Sequence, residues 1–554
     1  MIGLQQSENL IINEWEIWHT YTTYLLPTEI DLNSLSTSLV KTGLAHLTMR
    51  NNGVTEWKYD GGIGKGISEV LLQSDGNGAK FNFEPTKDNS VKLSGYASEA
   101  LKQARHFKFS ELRIFQESPS IPPDYVRAFL GKLILSSDHF EKCVHLYPIL
   151  TVYDTGVMSI ELRSLSPSSS VNLHEFINDY VNLSSTTFSR VDGPPALSIL
   201  MNKGHLRSGK KMGFKERRDL LKFENDFERL VKNETKVTND EEFAFEVSPF
   251  RIPEISDSET LSTLSRSIFD AVAFLLSKPK KGLKYIINGH KNLVHFDGYW
   301  IGRPHIHLLS FEGQDHSATI LEKKWKNELL KIMMRSNEFP SDIRDKYLPK
   351  NLRLFDDYLL YLGPGQSLFV WSEDGKKRNS VWEDVNNGHL IYEQQATMRM
   401  LDYSYILHRR ILNLIDLYKN PQEIIWVQRD LINFEQDLDE VSRYGEIREI
   451  FNYGLNKLNI EKIRRQIHES LKLKQLESSY LETKSYKKIG IILSILFGLL
   501  SIPTFSNQVL KPLWMVIGLP IHENKALFSL ILLGITTFGL GILIWILIKK
   551  MIKN

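Results

Sequence analysis

Two histidines in the middle of the chain form a potential metal-binding pair. His305 and His307 stand two residues apart in an apolar stretch that predicts a β-strand. Alternate residues of a strand project from one face, so both imidazoles are expected on the same side of a sheet. Zinc and hydrolytic sites need further Cys, His or carboxylate ligands, and the sequence offers no cysteine or carboxylate directly beside the pair. We therefore assign no catalytic residue and no metal ligand.

A basic cluster between Lys203 and Lys222 has the composition of an anion site. It contains eight Lys and Arg residues against Glu216 and Asp219. Guanidinium and ammonium groups pair with phosphate oxygens through charge-assisted hydrogen bonds, so the cluster predicts binding of a small nucleotide-like ligand. The alternative is a solvated loop and helix start. The predicted ligand-binding residues are Lys210, Lys211, Arg217 and Arg218.

Two further sequence patterns have both a ligand-binding interpretation and a purely structural one. The stretch from Asp60 to Gly66 looks like a phosphate loop, but Lys65 is followed by Gly where Ser or Thr should bind magnesium, so a hairpin turn is predicted. An acidic run, read as the solvated face of a helix, has divalent-cation sites as its alternative. This run consists of Glu435, Asp437, Asp439 and Glu440.

Composition excludes several classes of protein. The 554 residues include 68 basic and 66 acidic side chains, a net charge of +2, which gives no sign of direct nucleic-acid binding. The single cysteine excludes an intramolecular disulfide scaffold, and 42% hydrophobic residues exclude a disordered chain. The length allows several domains.

The C-terminal part of the chain contains two uncharged apolar segments. One has 22 residues, Ile489 to Leu510, and the other has 23, Ala526 to Ile548. As helices they are about 33 to 35 Å long, enough to cross a hydrocarbon core of ~30 Å. Lysines precede the first segment and follow the second, which predicts both termini in the cytoplasm. We expect a two-span protein of the cell inner membrane, in contact with the lipid bilayer.

Small and weakly polar residues follow one face of the first span. Gly490, Ser494, Gly498 and Ser501 recur at spacings of four, four and three. Such a face lines a narrow pore or lets helices pack closely. Because two helices cannot enclose a pore, a conduit requires an oligomer with one first span per subunit around the axis. We predict these residues and Asn507 as pore-lining, and we interpret Gly534, Thr537 and Gly541 of the second span as packing residues.

A long helical region precedes the first span. Apolar residues repeat at three and four positions from about Ile391 to Lys488, with an interruption at Pro421. The absence of Pro and Gly between Leu458 and Ile489 predicts a helix that runs unbroken into the membrane. From Lys457 to Pro503 it would measure on the order of 70 Å.

The remaining N-terminal part has mixed helix and strand patterns. Three segments predict hairpins: His145 to Leu165, Asn292 to Phe311 and Leu352 to Trp371. We expect an α/β cytoplasmic domain, a long helical stalk and two C-terminal transmembrane helices. The expected divisions are α/β regions 1–250 and 251–390, stalk 391–488, first span 489–510, outer loop 511–525, second span 526–548 and cytoplasmic tail 549–554.

This arrangement resembles the CorA family of divalent-metal channels. Ile502, Pro503, Thr504 and Phe505 are similar to the Pro-Leu-Thr-Phe stretch late in that family's first span. The resemblance covers about residues 391–554 and implies a homopentamer with the first span around the axis. The Gly-Met-Asn signature of transporting members is absent, since the stretch from Ser506 to Pro512 reads SNQVLKP.

The missing signature and the enlarged N-terminal domain resemble the CorA-type membrane effectors of type III CRISPR antiviral systems. That resemblance implies an ion channel opened by a nucleotide second messenger, a conjugate of S-adenosylmethionine and AMP, which permeabilises the membrane. One alternative is a magnesium or other divalent-metal ion transporter. The other is a membrane-tethered enzyme that uses His305 and His307. We expect no cofactor beyond the messenger or Mg²⁺, and no enzymatic activity.

Overall fold

The structure is a computed structural model of the chain. It describes residues 10–25, 30–59, 62–72, 79–86, 93, 95–115, 121–137, 143–194, 248–250, 260–276, 296–338, 348–381, 389–415, 421–441, 445–518, 520 and 525–553. The chain divides into two compact units. One consists of Met1–Asn413 and Arg429–Ile467, and the other of Leu414–Gln428 and His468–Asn554.

The first unit is built on a large β-sheet, which has 15 strands in the described part of the chain. They are β1 (Ile11–Leu25), β2 (Ala45–Arg50), β3 (Val54–Tyr59), β4 (Gly62–Leu72), β5 (Ala79–Pro85), β6 (Tyr125–Leu130), β7 (Leu133–Ser136), β8 (Val144–Tyr153), β9 (Val157–Leu165), β10 (Val171–Asn172), β11 (Arg190–Gly193), β12 (Ser248–Phe250), β13 (Phe296–Phe311), β14 (Tyr358–Leu362) and β15 (Ser367–Trp371).

The strand order shows that this unit is β-rich. The order is β14-β15-β13-β1-β9-β8-β6-β2-β3-β4-β5, with β7, β10, β11 and β12 paired beside this path. Among the described strands only β13 and β15 pair in parallel. The predicted α/β domain is therefore a largely antiparallel sheet with helices packed on it. Strands from both sides of residue 250 belong to this sheet.

The turn residues predicted two hairpins correctly. β8 and β9 pair through a turn in which Gly156 has a φ of 87°, a conformation that favours glycine. β14 and β15 pair through the turn that contains Gly363 and Gly365. The glycine-rich stretch after Tyr59 is also part of a hairpin, β3 with β4, and a side chain at Gly64 would collide with the Trp57 ring.

The hairpin predicted from Asn292 to Phe311 was wrong. β13 is a single strand of 16 residues that pairs along β1, which has 15. Gly302 does not turn the chain; a Cβ there would lie 2.4 Å from the carbonyl oxygen of Thr20, so glycine permits close approach of the two strands. The register shifts between His19 and Tyr21 and between Thr22 and Tyr24 are bulges within this long pair.

The helices cover both faces of the sheet and form the C-terminal part of the chain. Among the described residues they are α1 (Leu32–Lys41), α2 (Gly95–Ile114), α3 (Leu261–Leu276), α4 (Ala318–Met334), α5 (Glu373–Val381), α6 (His389–Leu414), α7 (Pro421–Val441), α8 (Gly445–Lys457), α9 (Ile460–Phe505), α10 (Lys511–Val516) and α11 (Lys525–Lys553). Short helical turns follow β10 up to Ser185. The predicted unbroken helix is confirmed from Ile460, after a break at Asn459, which has a φ of 54°.

One face of the sheet is apolar, as alternation along its strands predicts. Tyr21 of β1, Ile160 and Leu162 of β9, and Val126 of β6 belong to one buried cluster with α1 and α3. Ile306 and Leu308 of β13 belong to a second cluster with α4. These clusters supply the non-directional part of the stability, roughly 1.5–3 kcal/mol for each fully buried large side chain.

The opposite face carries charges, and α6 buries them. Arg399 of α6 donates two hydrogen bonds to Glu161 of β9, from Nε to Oε1 at 2.8 Å and from Nη2 to Oε2 at 2.6 Å. Arg127 of β6 donates from Nη2 to Oε1 of Glu111 at 2.6 Å, and Nη1 of Arg399 lies 3.4 Å from the same oxygen. These four side chains are at most 4% exposed. Each charge is therefore paired inside the protein.

The same contact continues toward β13. Asp402 of α6 accepts a hydrogen bond from Nη2 of Arg303 at 2.9 Å, and Nε2 of His305 lies 3.6 Å from its other oxygen. Gln395 donates to Nε2 of His307 at 2.8 Å. The spacing Gln395, Arg399, Asp402 places all three on one side of α6. This polar face of α6 is complementary to the charged face of the sheet.

Burial and pairing compete in setting the protonation of this network. Burial tends to raise the pKa of Glu111, but Arg127 and Arg399 outweigh it and the pKa is lowered. Burial lowers the pKa of His305 in spite of Asp402, and it lowers the pKa of His307 far below its usual range. The carboxylate is thus ionised at neutral pH, and the two histidines are neutral.

The buried ion-pair network predicts that removing one of its charges strongly lowers the free energy of unfolding. Arg399→Met leaves Glu161 buried without its counter-charge, so we expect a loss of about 3–5 kcal/mol in the free energy of unfolding. Lys350→Met is the matched control, because Lys350 and Glu449 form an exposed pair and the expected loss is below about 1 kcal/mol. Denaturant unfolding followed by tryptophan fluorescence measures both variants. Equal losses would contradict the assigned role of Arg399.

Candidate ligand cavity and candidate pore helix

The first unit contains a cavity of about 340 Å³ beside α6, within the size range of small-molecule sites. The end of α2, the strands β14 and β15, the first half of α6 and the first half of α8 form its walls. The lining residues are Arg113, Ile114, Arg353, Tyr358, Leu360, Phe369, Leu390, Glu393, Gln394, Thr397, Met398, Gly445, Glu446, Ile447 and Ile450. Eight of these fifteen residues are aliphatic or aromatic and four are charged, so the cavity has both an apolar and a charged part.

Arg353 is held on one side of the cavity by two carboxylates. It donates to both oxygens of Asp357, from Nε at 2.7 Å and from Nη2 at 2.6 Å. Its Nη1 donates to Glu446 of α8. Burial raises the pKa of Glu446, although Arg353 opposes the shift. The guanidinium therefore pairs with two protein carboxylates, and it links the strand region to α8.

Glu393 of α6 is the most perturbed acid of the cavity. Its Oε1 lies 3.1 Å from Nη1 of Arg113. Burial nevertheless raises its pKa to about 7, against the opposing charges of Arg113 and Arg353. A carboxyl group that titrates near neutral pH in a cavity marks a candidate functional site.

The wall formed by α8 directly precedes the long helix α9. Gly445, Glu446, Ile447 and Ile450 line the cavity, and only Leu458 and Asn459 separate the end of α8 from the start of α9. Gly454 lets α8 approach α6 closely, because a Cβ there would lie 2.6 Å from Cδ1 of Leu401. The cavity wall and the start of α9 are therefore connected through one helix, α8.

The start of α9 is attached to α6 and α7 by a polar contact. Glu435 of α7 lies 2.9 Å from Nε of Arg464 and 3.2 Å from Nε2 of His408. His408 is fully buried, and its Nδ1 is hydrogen-bonded to the carbonyl of Ser404 at 2.6 Å. Glu435, predicted as part of a solvated face or a cation site, is therefore paired with basic side chains. Among the described residues, no group of three or more His, Cys, Asp or Glu is placed to bind a metal ion.

The second unit contains two helices long and apolar enough to cross a membrane. One candidate span lies within Ile460–Val516 and the other is Lys525–Ile546, with mean hydropathies of 2.1 and 2.4. Only 6% and 11% of their most apolar windows are buried in the protein. A core helix of a soluble protein would be mostly buried, so these exposed apolar surfaces are consistent with membrane insertion.

The two spans contact each other along regular stripes. Phe528, Leu532, Thr536 and Leu540 of α11 recur at a spacing of four and form its more buried face. Gly498 of α9 belongs to this contact, since a Cβ there would lie 3.2 Å from Cδ1 of Leu540. A Cβ at Gly534 or Gly541 would have no atom of the described residues within 4 Å, so both glycines face away from the first span.

The predicted pore-lining residues occupy different environments. Gly490, Ser494 and Ser501 are on an exposed face, whereas Gly498 is partly covered by α11. The hydroxyls of Ser494 and Ser501 donate to the carbonyls of Gly490 and Gly498, both at 2.8 Å. Asn507 is exposed in the π-helical turn Ser506–Leu510, which follows Pro503 of α9.

The remaining predicted site residues are those of the basic cluster and the histidine pair. Lys210, Lys211, Arg217 and Arg218 lie outside the described residues. His305 and His307 are both buried, and the ring of His307 stacks on Phe369 with centroids 4.5 Å apart. Sequence reasoning missed the cavity because its charged residues come from distant segments. They are Arg113, Arg353, Glu393 and Glu446.

Comparison of the chain with protein-family models, with curated proteins and with solved structures found no match.

The raised pKa of Glu393 predicts that replacing it with its neutral isostere, Gln, increases the stability of the fold, and that this increase depends on pH. The folded pKa of about 7 is above the reference value of 4.5, so the protonated carboxyl stabilises the fold below pH 4.5 and this contribution is lost as the pH rises through 7. We expect Glu393→Gln to raise the unfolding temperature at pH 8 and to leave it nearly unchanged at pH 4.5. Thermal unfolding at the two pH values measures this difference. A loss of stability at pH 8 would contradict the assignment.

Proposed function

We propose that the chain is the subunit of a ligand-gated membrane channel, a CorA-like homopentamer with the first span around its axis. The observation that carries this proposal is the continuity of α9. Its first turns are buried in the first unit through Ile460, Ile463 and Ile467, and the same helix contains the apolar span. A displacement at the start of such a helix is transmitted along its axis, because its backbone hydrogen bonds are continuous.

The exposed faces of the spans support an oligomer. Two helices cannot enclose a conduit, and Gly490, Ser494 and Ser501 lie on a surface of α9 that the second span does not cover. Neighbouring subunits would cover this surface and form the pore from it. The number five and the central position of the first span come from the CorA resemblance. The proposed location is the inner membrane, with both termini in the cytoplasm.

A ligand gates such a channel only if it binds the open state more tightly than the closed state. The cavity beside α6 is the proposed gating site, since a ligand there would touch α8, the helix before α9. The basic residues Lys210, Lys211, Arg217 and Arg218 are a second proposed contact for phosphate groups. Following the resemblance, we propose the S-adenosylmethionine-AMP conjugate as messenger and antiviral permeabilisation of the membrane as the outcome.

Liposomes that contain the purified protein test the gating proposal. We expect release of trapped ions only after addition of the S-adenosylmethionine-AMP conjugate, and none with S-adenosylmethionine or AMP alone. Magnesium entry without any nucleotide would contradict the proposal and support the divalent-metal transporter. A monomer or dimer in detergent, measured by light scattering, would also exclude the channel, because too few first spans would be present.

A bulky residue on the proposed pore face should block conduction. We expect Ser494→Phe to abolish messenger-dependent release while ligand binding is retained. Ile492→Phe is the matched control, since Ile492 is exposed and stands two residues away, on the opposite side of the helix. Gly498→Phe is less suitable because it also disturbs Leu540. Equal inhibition by both Phe substitutions would show that Ser494 does not line the pore.

A further inference from the structure

Two contacts show that the candidate spans run antiparallel. Gly498 of α9 faces Leu540 of α11, since a Cβ at Gly498 would lie 3.2 Å from Cδ1 of Leu540. Trp514 of α10, farther along the chain, contacts Phe528 near the start of α11, with ring centroids 6.0 Å apart. The start of the first span and the end of the second span are therefore at the same end of this pair of helices.

This end of the pair contains six lysines, three before the first span and three after the second. They are Lys484, Lys487, Lys488, Lys549, Lys550 and Lys553. Lys488 precedes Gly498 by ten residues, and Lys550 follows Leu540 by ten residues. At 1.5 Å per helical residue, each is about 15 Å along its helix from the contact between Gly498 and Leu540. No acidic residue occurs in 483–498 or 540–554, so these two segments together carry a charge of +6.

The three lysines before the first span are exposed, and none of them forms an ion pair within the part of the chain that the structure describes. Lys474, farther from the span in the same helix, instead pairs with Glu477 at 3.0 Å. Tyr486 stands among the unpaired lysines, with 71% of its side chain exposed. Lysine and tyrosine at the end of an apolar helix are typical of the membrane–water interface, where their polar groups reach the lipid headgroups.

We propose that these six lysines form a binding surface for the phosphate groups of anionic phospholipids. An ammonium group and a phosphate attract each other by charge and by hydrogen bonding. Clusters of about four to eight basic residues directly beside a membrane span are typical of such surfaces, because an anionic leaflet attracts each positive charge. The partner is thus a lipid with a net negative charge, such as phosphatidylglycerol, in the leaflet next to this end of the pair.

The neighbouring apolar surface favours a lipid over a soluble phosphate. Ile489 and Ile492 follow the lysines directly, and 49% and 58% of their side chains are exposed. A lipid satisfies both surfaces, since its phosphate pairs with the lysines while its acyl chain covers the apolar side chains beside them. A soluble anion satisfies the lysines alone. This inference rests on the membrane insertion in the proposed function, but it requires neither the pentamer nor the messenger.

Spin-labelled lipids measure the proposed preference at the protein surface. The full chain is reconstituted in phosphatidylcholine vesicles with a trace of spin-labelled phosphatidylglycerol or phosphatidylcholine, and electron paramagnetic resonance gives the immobilised fraction of each. We expect phosphatidylglycerol to associate at least about threefold more strongly at low ionic strength. This ratio should approach unity at about 1 M salt, because salt screens exposed charges. Equal association at low ionic strength, or a preference that salt does not reduce, would overturn the proposal.

A triple variant tests whether the lysines cause this preference. It replaces those before the first span: Lys484→Gln, Lys487→Gln and Lys488→Gln. The matched control removes three exposed charges from an earlier part of α9: Lys462→Gln, Arg465→Gln and Lys472→Gln. The nearest control site is 16 residues from Lys488, about 24 Å along the helix and beyond the screening length of ~10 Å at 0.1 M salt. We expect the first variant to lose about half of the preference and the control to keep it. Equal changes in the two variants would overturn the assignment.

The same measurement separates this inference from the proposed function. If the vesicles contain the protein but neither spin-labelled lipid is immobilised, the chain does not span the membrane and both proposals fail. If both lipids are immobilised equally, the lipid preference alone is overturned, as it would be if acidic residues of a second copy covered the lysines. Channel activity is then judged from the liposome experiments.

Discussion

The structure of the first unit depends on the burial of a charged surface. β-strands with alternating apolar and charged residues commonly place the charges in water. Here α6 covers them, and Arg399 and Asp402 enter the network with Glu161 and Arg303 as direct partners. Ion pairs in such a setting are costly to desolvate and costly to break, so they specify one arrangement of helix and sheet. The position of α6 is set by this requirement.

The position of α6 in turn defines the cavity and the start of α9. Glu393 and Gln394, one or two turns before Arg399, line the cavity on one side of the helix. Leu401 packs against Gly454 of α8, and His408 contacts Glu435 and Arg464 near the start of α9. The single helix α6 therefore contacts the candidate cavity, the helix before α9 and the first turns of α9. This continuity gives the proposed gating a physical route.

The pair of candidate membrane spans follows different rules. Its two helices share one stripe of contacts, and the remaining apolar surface is exposed in the isolated chain. Apolar side chains do not drive association within lipid, so small residues and close packing decide which faces meet. Gly498 serves the contact within the hairpin, whereas Gly490 and Ser494 remain on an uncovered face. The stripe that reads as one feature in sequence thus divides into two.

The local features of this protein follow from its sequence alone. The length of the uncharged segments predicted the two candidate spans, and the absence of helix breakers predicted α9. Turn residues predicted the β8–β9 and β14–β15 hairpins. Each of these features depends on residues that are neighbours in the sequence. The predicted hairpin at β13 was wrong, because Gly302 permits close approach of β13 to β1 and does not form a turn. Tertiary packing was needed to show that His305, His307 and Glu161 are buried, and that distant charged residues share one cavity. Those properties depend on α6 and α8 packing against remote strands, and no local spacing encodes such contacts.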